Sequence, residues 1–338
     1  MIYVTGGTGL VGSHLLYYLS RQGHKIKALK RSGSDSGRLE RIFSHYDKNP
    51  AALLKNIEWV EGDVLDYFSL EDSISEGDRV YHCAAMVSFN PADHDQMIRV
   101  NVQGTGNLVN ACLKKNIDKL CFVSSIASLG RASDGEAIDE TVGWKTSRNN
   151  SVYAISKYNA EREVWRGTAE GLKAVIINPS VILGPGRWDQ GSAQLFEQVW
   201  EGLKFYSNGI NGLVDVRDVA QIMIKLMESN IHGERFIVNA ESVSYRKLFK
   251  EIALNLGKKP PFIKVNPFIT ELAWRIEKLK FLITRKAPLI TKETARTANA
   301  KYFYSSDKLI HALNYQFINS SKSIKDTAQV FLKDHQQQ

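Results

Sequence analysis

Tyr153 and Lys157 stand four residues apart in Tyr153-Ala-Ile-Ser-Lys157, a spacing that puts both on one face of a helix. Two serines, Ser124 and Ser125, close the apolar run Leu120-Cys121-Phe122-Val123. A phenol, an amine and a hydroxyl brought together can move a proton at an oxygen while a hydride moves at the attached carbon. A free tyrosine loses its proton only near pH 10. A neighbouring ammonium would stabilise the phenolate and lower that value, and a serine hydroxyl would hold the substrate oxygen. The reading therefore assigns catalysis to Tyr153, Lys157 and Ser125, with Ser124 as the fallback serine. Each residue also has an ordinary explanation: buried phenol, solvated amine, loop serine.

Such chemistry needs a hydride carrier, and the amino terminus can hold one. Ile2-Tyr3-Val4-Thr5 runs into Gly6-Gly7-Thr8-Gly9-Leu10-Val11-Gly12, and an apolar helical pattern, Leu15, Leu16 and Leu19, follows up to Gly23. Three glycines between a strand and a helix allow a sharp turn and close approach of backbone to a pyrophosphate, which the helix N-terminus favours. Gly6, Thr8, Gly9, Leu10, Val11 and Gly12 are the expected contacts. The second strand, Lys25–Leu29, ends at Lys30-Arg31, where an acidic residue would favour the ribose 2′-hydroxyl of NAD(H) and a basic one a 2′-phosphate. NADP(H) is the favoured cofactor and NAD(H) the alternative. Asp63, followed by Val64, ends a third strand from Ile57; its carboxylate would accept from an adenine amino group or cap a helix around Tyr67–Ser75. Ala84 and Ala85 end a fourth strand with side chains small enough for a cofactor to pass.

Strand and helix patterns alternate to about residue 178, as a doubly wound parallel sheet of the Rossmann type requires. The nucleotide domain is expected over residues 1–179 plus 213–239. A smaller, mostly helical and discontinuous substrate lobe takes residues 180–212 plus 240–338. Helical inserts are expected around Ser36–Leu54 and Gln190–Gly202, and Val214–Val219 is read as the return towards the sheet. Phe268–Ile283 carries apolar residues among basic ones, a pattern of a packed lobe helix, a substrate cover or a membrane-surface helix.

These motifs resemble the extended short-chain dehydrogenase/reductase superfamily, which includes NAD(P)-dependent epimerases and dehydratases. Matching segments include TGGTGLVG, EGDVLD, HCAA, NVQGTGN, FVSSIASLG, YAISK and NPSVILGPG, from Met1 to about Lys333. The resemblance implies Tyr153 as acid/base and Lys157 as its modulator and nicotinamide-ribose ligand. It also implies Ser125 as substrate-oxygen partner, Pro179 near the cofactor, and Asn101 either on a helix under the site or as a packing residue. Nucleotide-sugar enzymes of the superfamily show Arg-Pro-x-Asn-x-Tyr-Gly-Pro after the sixth strand. Here Asn178, Val181 and Leu183 stand at the Arg, Asn and Tyr positions, which is similar to the dihydroflavonol-4-reductase-like branch. The implied activity is an NADP(H)-dependent carbonyl reductase or secondary alcohol dehydrogenase acting on a small molecule. The alternatives are a nucleotide-sugar epimerase or dehydratase that retains its NAD(P), and a non-catalytic NADP-binding sensor. A homodimer would pair the Tyr153 helix with the one near Asp93–Lys115.

Composition narrows the classes further. The 338 residues contain no run of eighteen apolar positions, so no membrane-spanning helix is expected. With the first strand beginning at Ile2, no signal peptide is expected and a cytoplasmic location is read. Cys83, Cys112 and Cys121 lack metal-ligand spacing and read as reduced thiols, with no metal. Residues 241–338 hold 18 Lys and Arg against 8 Asp and Glu, a net +10, which leaves −2 for the rest of a chain of net +8. The charges are scattered rather than clustered, so a solvated cationic face is expected, and no nucleic-acid-binding motif is present.

Overall fold

The first strand, β1 (Ile2–Thr5), is buried along its whole length, as a strand covered on both faces must be. The computed structural model describes residues 1–88, 90–131, 136–147, 150–265, 274–275 and 298–336. With β2 (Ile26–Lys30), β3 (Ile57–Glu61), β4 (Arg79–His82) and β5 (Lys119–Val123), β1 forms most of a seven-stranded sheet. The order is Glu234–Val238, Ala174–Pro179, β5, β4, β1, β2, β3, and every pairing is parallel. Chain direction across the sheet reverses between β1 and β4, so the crevice for a ligand opens at their carboxyl ends.

Helices cover both faces. On one, helix α1 (Leu10–Arg21) and the helix Val216–Glu228 bury Leu15, Leu16, Leu19, Val219 and Met223 against the sheet. On the other, Gly104–Lys114 and Val152–Ala169 bury Leu108, Val109, Ala160 and Val164. The expected insert after β2 is two helices, Gly37–Ser44 and Pro50–Leu54.

The lobe has its own core around Trp188, Phe196, Leu248 and Phe331, supplied by the helices Gln194–Trp200, Tyr245–Asn255 and Ser320–Gln336. Its sheet has Ile210–Asp215 at the centre, parallel to Val181–Leu183 and antiparallel to Glu241–Ser244. Leu213–Asp215 thus belong to the small sheet, and the chain turns back at Asp215, whose carboxylate accepts from Arg217 N at 2.8 Å and caps the helix Val216–Glu228. The stretch Phe268–Ile283 lies outside the described residues except for Trp274 and Arg275, which are helical. Among the described residues no helix is long and apolar enough to cross a membrane. No cluster of His, Cys, Asp or Glu among them could hold a metal ion. The three cysteines are free thiols, and burial raises the pKa of each.

Two imidazoles are buried with the sheet. His14 hydrogen-bonds the Leu10 carbonyl at 2.8 Å and meets Tyr46 edge-on; His82 lies between the Thr5 and Thr105 hydroxyls at 2.7 and 3.0 Å. Burial holds them below the ordinary imidazole range, His14 at about 4 and His82 at about 3. An imidazole that stays neutral in the fold but takes a proton when unfolded costs stability as pH falls below about 6.5, at up to about 1.4 kcal/mol per pH unit each. The urea midpoint should therefore fall between pH 7 and pH 5, and His14→Phe should flatten the slope by about one proton. A wild-type midpoint constant over that range would contradict this account.

Candidate active site

Gly6 has φ +70°, and a Cβ built there would sit 2.5 Å from Ala84 N; one on Gly12 would sit 2.1 Å from the Gly6 carbonyl oxygen. Only glycines let β1, the turn and α1 approach this closely. Gly9, at the N-cap of α1, donates to Gly6 O at 3.0 Å and has no side chain to cap the first-turn amides. Those amides open onto a cleft of about 1380 Å³ whose walls include Thr8, Gly9, Leu10, Arg31, Asp63 and Ala85. A turn packed too tightly for a Cβ at Gly6 or Gly12, leading into a helix with no side-chain cap, fits the pyrophosphate of a dinucleotide.

The remaining expected contacts divide between cleft and core. Val11 packs into the apolar cluster and Gly12 lies against Gly6. Lys30 places its ammonium over the Trp59 ring at 5.8 Å, while Arg31 lines the cleft. Arg38, which sequence reasoning missed, lines the cleft with Arg31; its signal was a basic residue in the first turn of the helix after β2. Asp63 accepts from Leu65 N at 2.9 Å, and the helix Tyr67–Ser73 is capped by Asp66 instead. Val64 is buried, and its carbonyl accepts from Asn107 Nδ2 at 3.0 Å. Ala84 N donates to Thr5 Oγ1 at 3.2 Å, and Pro179 is buried at the end of its strand. Asn101 sits in the π-helical stretch Arg99–Gln103. Its carboxamide accepts from Met86 N at 2.7 Å and donates to Met86 O and Ser156 Oγ at 2.9 Å each, so it ties the loop after β4 to the tyrosine helix.

Ser151 caps that helix, Val152–Ala169, by accepting from Ala154 N at 2.9 Å, so Tyr153 enters in its first turn. The Ser125 hydroxyl lies close enough to the Tyr153 phenol to lower its pKa, and Ser125 Oγ is fixed by accepting from Ala127 N at 3.1 Å. Lys157 is 2% exposed; its ammonium donates to Val123 O at 2.7 Å and lies 4.7 Å from the centre of the Phe122 ring. Ser124 is engaged further along the same helix, donating to Glu161 Oε2 at 2.7 Å. Of the two candidate serines, Ser125 is the one brought to Tyr153.

Electrostatics depart from the expectation that Lys157 lowers the phenol. Burial raises the Tyr153 pKa above its ordinary value, against a smaller opposing effect of the Ser125 hydroxyl. Burial also pulls Lys157 down to about 8, opposed by the charge of Glu161 and by Cys83. With its ammonium bonded to a β5 carbonyl, Lys157 leaves desolvation to decide the phenol. The Tyr153 phenol is consequently protonated at neutral pH in this arrangement.

The family model of the NAD dependent epimerase/dehydratase family matches residues 2–239. A Synechocystis sp. protein bearing the name dihydroflavonol 4-reductase is 27% identical over 97% of this chain and 94% of its own length. Cinnamoyl-CoA reductase 1 of Petunia hybrida is 28% identical over 73% of this chain and 74% of its own. Among solved structures, that of gox2253 is similar with TM-score 0.81 at 29% identity, over 99% of this chain and 98% of its own. The UDP-glucose 4-epimerase of Thermotoga maritima shares the fold with TM-score 0.77 at 20% identity, over 99% of both chains. A glycine-turned cleft on a parallel sheet, matched by this model over more than half of the chain, makes the protein a member of the NAD-dependent epimerase/dehydratase family, an NAD(P)-dependent enzyme of the extended short-chain dehydrogenase/reductase type.

Proposed function

We infer that the enzyme is an NADP(H)-dependent carbonyl reductase, reversibly a secondary alcohol dehydrogenase, of the dihydroflavonol-4-reductase-like kind. The observation that carries this reading is the Tyr153–Ser125 hydroxyl pair with the buried Lys157 one turn along the same helix. Thr8, Gly9 and Leu10 would hold the pyrophosphate, Asp63 and Ala85 would line the adenosine and nicotinamide path, and Arg31 with Arg38 would meet a 2′-phosphate. Bound there, a nicotinamide nucleotide supplies the hydride.

The chain's own residues do the rest. The two hydroxyls receive the carbonyl oxygen, Ser125 orienting it and Tyr153 giving it a proton. Tyr153 gains negative charge as the proton leaves, and the Lys157 ammonium on the next turn would oppose that cost only on leaving the Val123 carbonyl that holds it here. The apolar Val181 and Leu183 favour this reading over a nucleotide-sugar epimerase, since neither side chain can donate to a diphosphate. The relatives named as reductases support the same choice.

NADPH oxidation against a panel of aldehydes, ketones, a dihydroflavonol and cinnamoyl-CoA tests the reaction. Thermal shift with UDP- and GDP-sugars tests the epimerase. Turnover of a carbonyl without sugar-nucleotide binding is the expected result; stabilisation by a UDP-sugar with no NADPH consumption would replace it. Cofactor choice rests on charge: Arg31→Asp should weaken NADPH binding at least tenfold by fluorescence titration and change NADH affinity less than threefold, since one bidentate charge-assisted contact is lost. Equal loss for both nucleotides would refute the assignment of Arg31.

A further inference from the structure

Glu161 lies one helical turn beyond Lys157 and two beyond Tyr153, is 2% exposed, and has no place in the chemistry described so far. Its carboxylate is heavily engaged. Oε2 accepts from Ser124 Oγ at 2.7 Å, Ser128 Oγ at 2.7 Å and Asn178 Nδ2 at 2.9 Å. Oε1 accepts from Arg235 Nη1 at 3.1 Å and Trp165 Nε1 at 3.4 Å. Arg235 comes from the edge strand Glu234–Val238 and is also held by the Glu140 carbonyl at 2.6 Å. A carboxylate buried this far from water is expensive to keep unless a specific geometry depends on it.

Two consequences meet at the reacting groups. Ser124, Ser128 and Asn178 bracket Ser125: Ser128 Oγ stands 2.7 Å from Ser125 O and 2.7 Å from Glu161 Oε2, sharing its one proton between them, and Asn178 Nδ2 donates to the same Ser125 oxygen at 3.2 Å. Glu161 therefore fixes the short turn Ile126–Ser128 on which Ser125 is the cap. The second consequence is electrostatic. The groups facing Lys157 are Glu161 on its own helix, and Cys83 and His82 at the end of β4. His82 is neutral and the Cys83 thiol is held protonated by burial, which leaves Glu161 as the negative charge acting on the ammonium.

We propose that Glu161 is a positioning residue of the active site, a buried carboxylate paired with Arg235 that holds the Ser125 turn and keeps the Lys157 ammonium charged. This rests on the Ser125–Tyr153–Lys157 reading of the site and adds to it a group that touches neither substrate nor cofactor. The charge explains why so polar a cluster lies beneath the sheet's carboxyl ends. Without it, burial acts on Lys157 unopposed, and the amine loses its proton at a lower pH.

The test is the pH profile of NADPH-dependent carbonyl turnover for wild type, E161Q, E161D and S124A, each checked by thermal melting and by NADPH titration. In E161Q the alkaline limb should move towards acid by about one pH unit, so that turnover at pH 8 falls about fivefold while NADPH affinity stays within threefold. E161D keeps the charge and should keep the limb. S124A removes one anchor of the turn, and should raise KM for the carbonyl without moving the limb. Should E161Q fail to fold because Arg235 is left unpaired, E161Q/R235Q removes both charges together and should show the same displaced limb. A uniform loss of rate with an unmoved limb in E161Q, or in the double variant, would overturn the proposal. Full activity of a Tyr153→Phe variant would instead overturn the underlying reading, so the two failures are told apart.

Discussion

Tyr153→Phe is expected to lower carbonyl turnover by about 10²- to 10⁴-fold, the usual worth of a positioned proton donor, while NADPH affinity stays within about twofold. The substitution removes one oxygen, and the ring keeps its place in the first turn that Ser151 caps. The phenol's proton is what the carbonyl oxygen needs, and burial ensures that the proton is present at neutral pH, since it raises the pKa above the ordinary value. The direction of pH dependence follows. Reduction uses the protonated phenol and should be flat through neutrality, then fall as Lys157 loses its proton near pH 8. Oxidation uses the phenolate and should rise with pH over the same range. Stopped-flow NADPH oxidation together with a binding titration separates the two quantities. Wild-type turnover in the phenylalanine variant would remove Tyr153 from the chemistry altogether.

What the sequence made legible is what depends on local spacing. The glycine turn and the Tyr153–Lys157 face each lie within one strand–turn–helix unit or one helical turn, so residue type and distance along the chain specify them. The ambiguous pairs were adjacent residues at strand ends, Lys30 with Arg31 and Ser124 with Ser125. In each pair one member is engaged away from the expected ligand, Lys30 over Trp59 and Ser124 by Glu161, which leaves Arg31 to line the cleft and Ser125 to meet Tyr153. Which member is so engaged depends on packing partners far along the chain, Trp59 and Glu161, and not on the pair itself. Arg38 carried only the weak signal of a basic residue in the first turn of the helix after β2, and Glu161 carried none. The first gains meaning from the cleft wall opposite α1, the second from Arg235, which lies 74 residues further along the chain. The sign of the Tyr153 shift was missed for a similar reason, since desolvation is a property of the packed site and not of a motif.

Gly12→Ala is the change expected to do the most damage to nucleotide binding. In an ordinary helix the substitution would stabilise by roughly 1 kcal/mol, because alanine is the better helix former. Here the added methyl would lie 2.1 Å from the Gly6 carbonyl oxygen and 2.9 Å from Gly7 Cα, both backbone atoms of the turn itself. Neither can swing aside as a side-chain end could, so α1 must lift away from the turn at an overpacking cost of about 1–3 kcal/mol. That movement withdraws the first-turn amides from Thr8, Gly9 and Leu10, the wall that would face the pyrophosphate. NADPH affinity should fall at least tenfold, with a lower urea midpoint. Gly23→Ala supplies the control: Gly23 has φ +82° and open space around its Cβ position, so the variant should lose about 1–2 kcal/mol of stability yet bind NADPH as wild type does. If the two variants lose stability alike and neither loses affinity, the glycine turn does not hold the nucleotide, and the cleft beside it serves some other ligand.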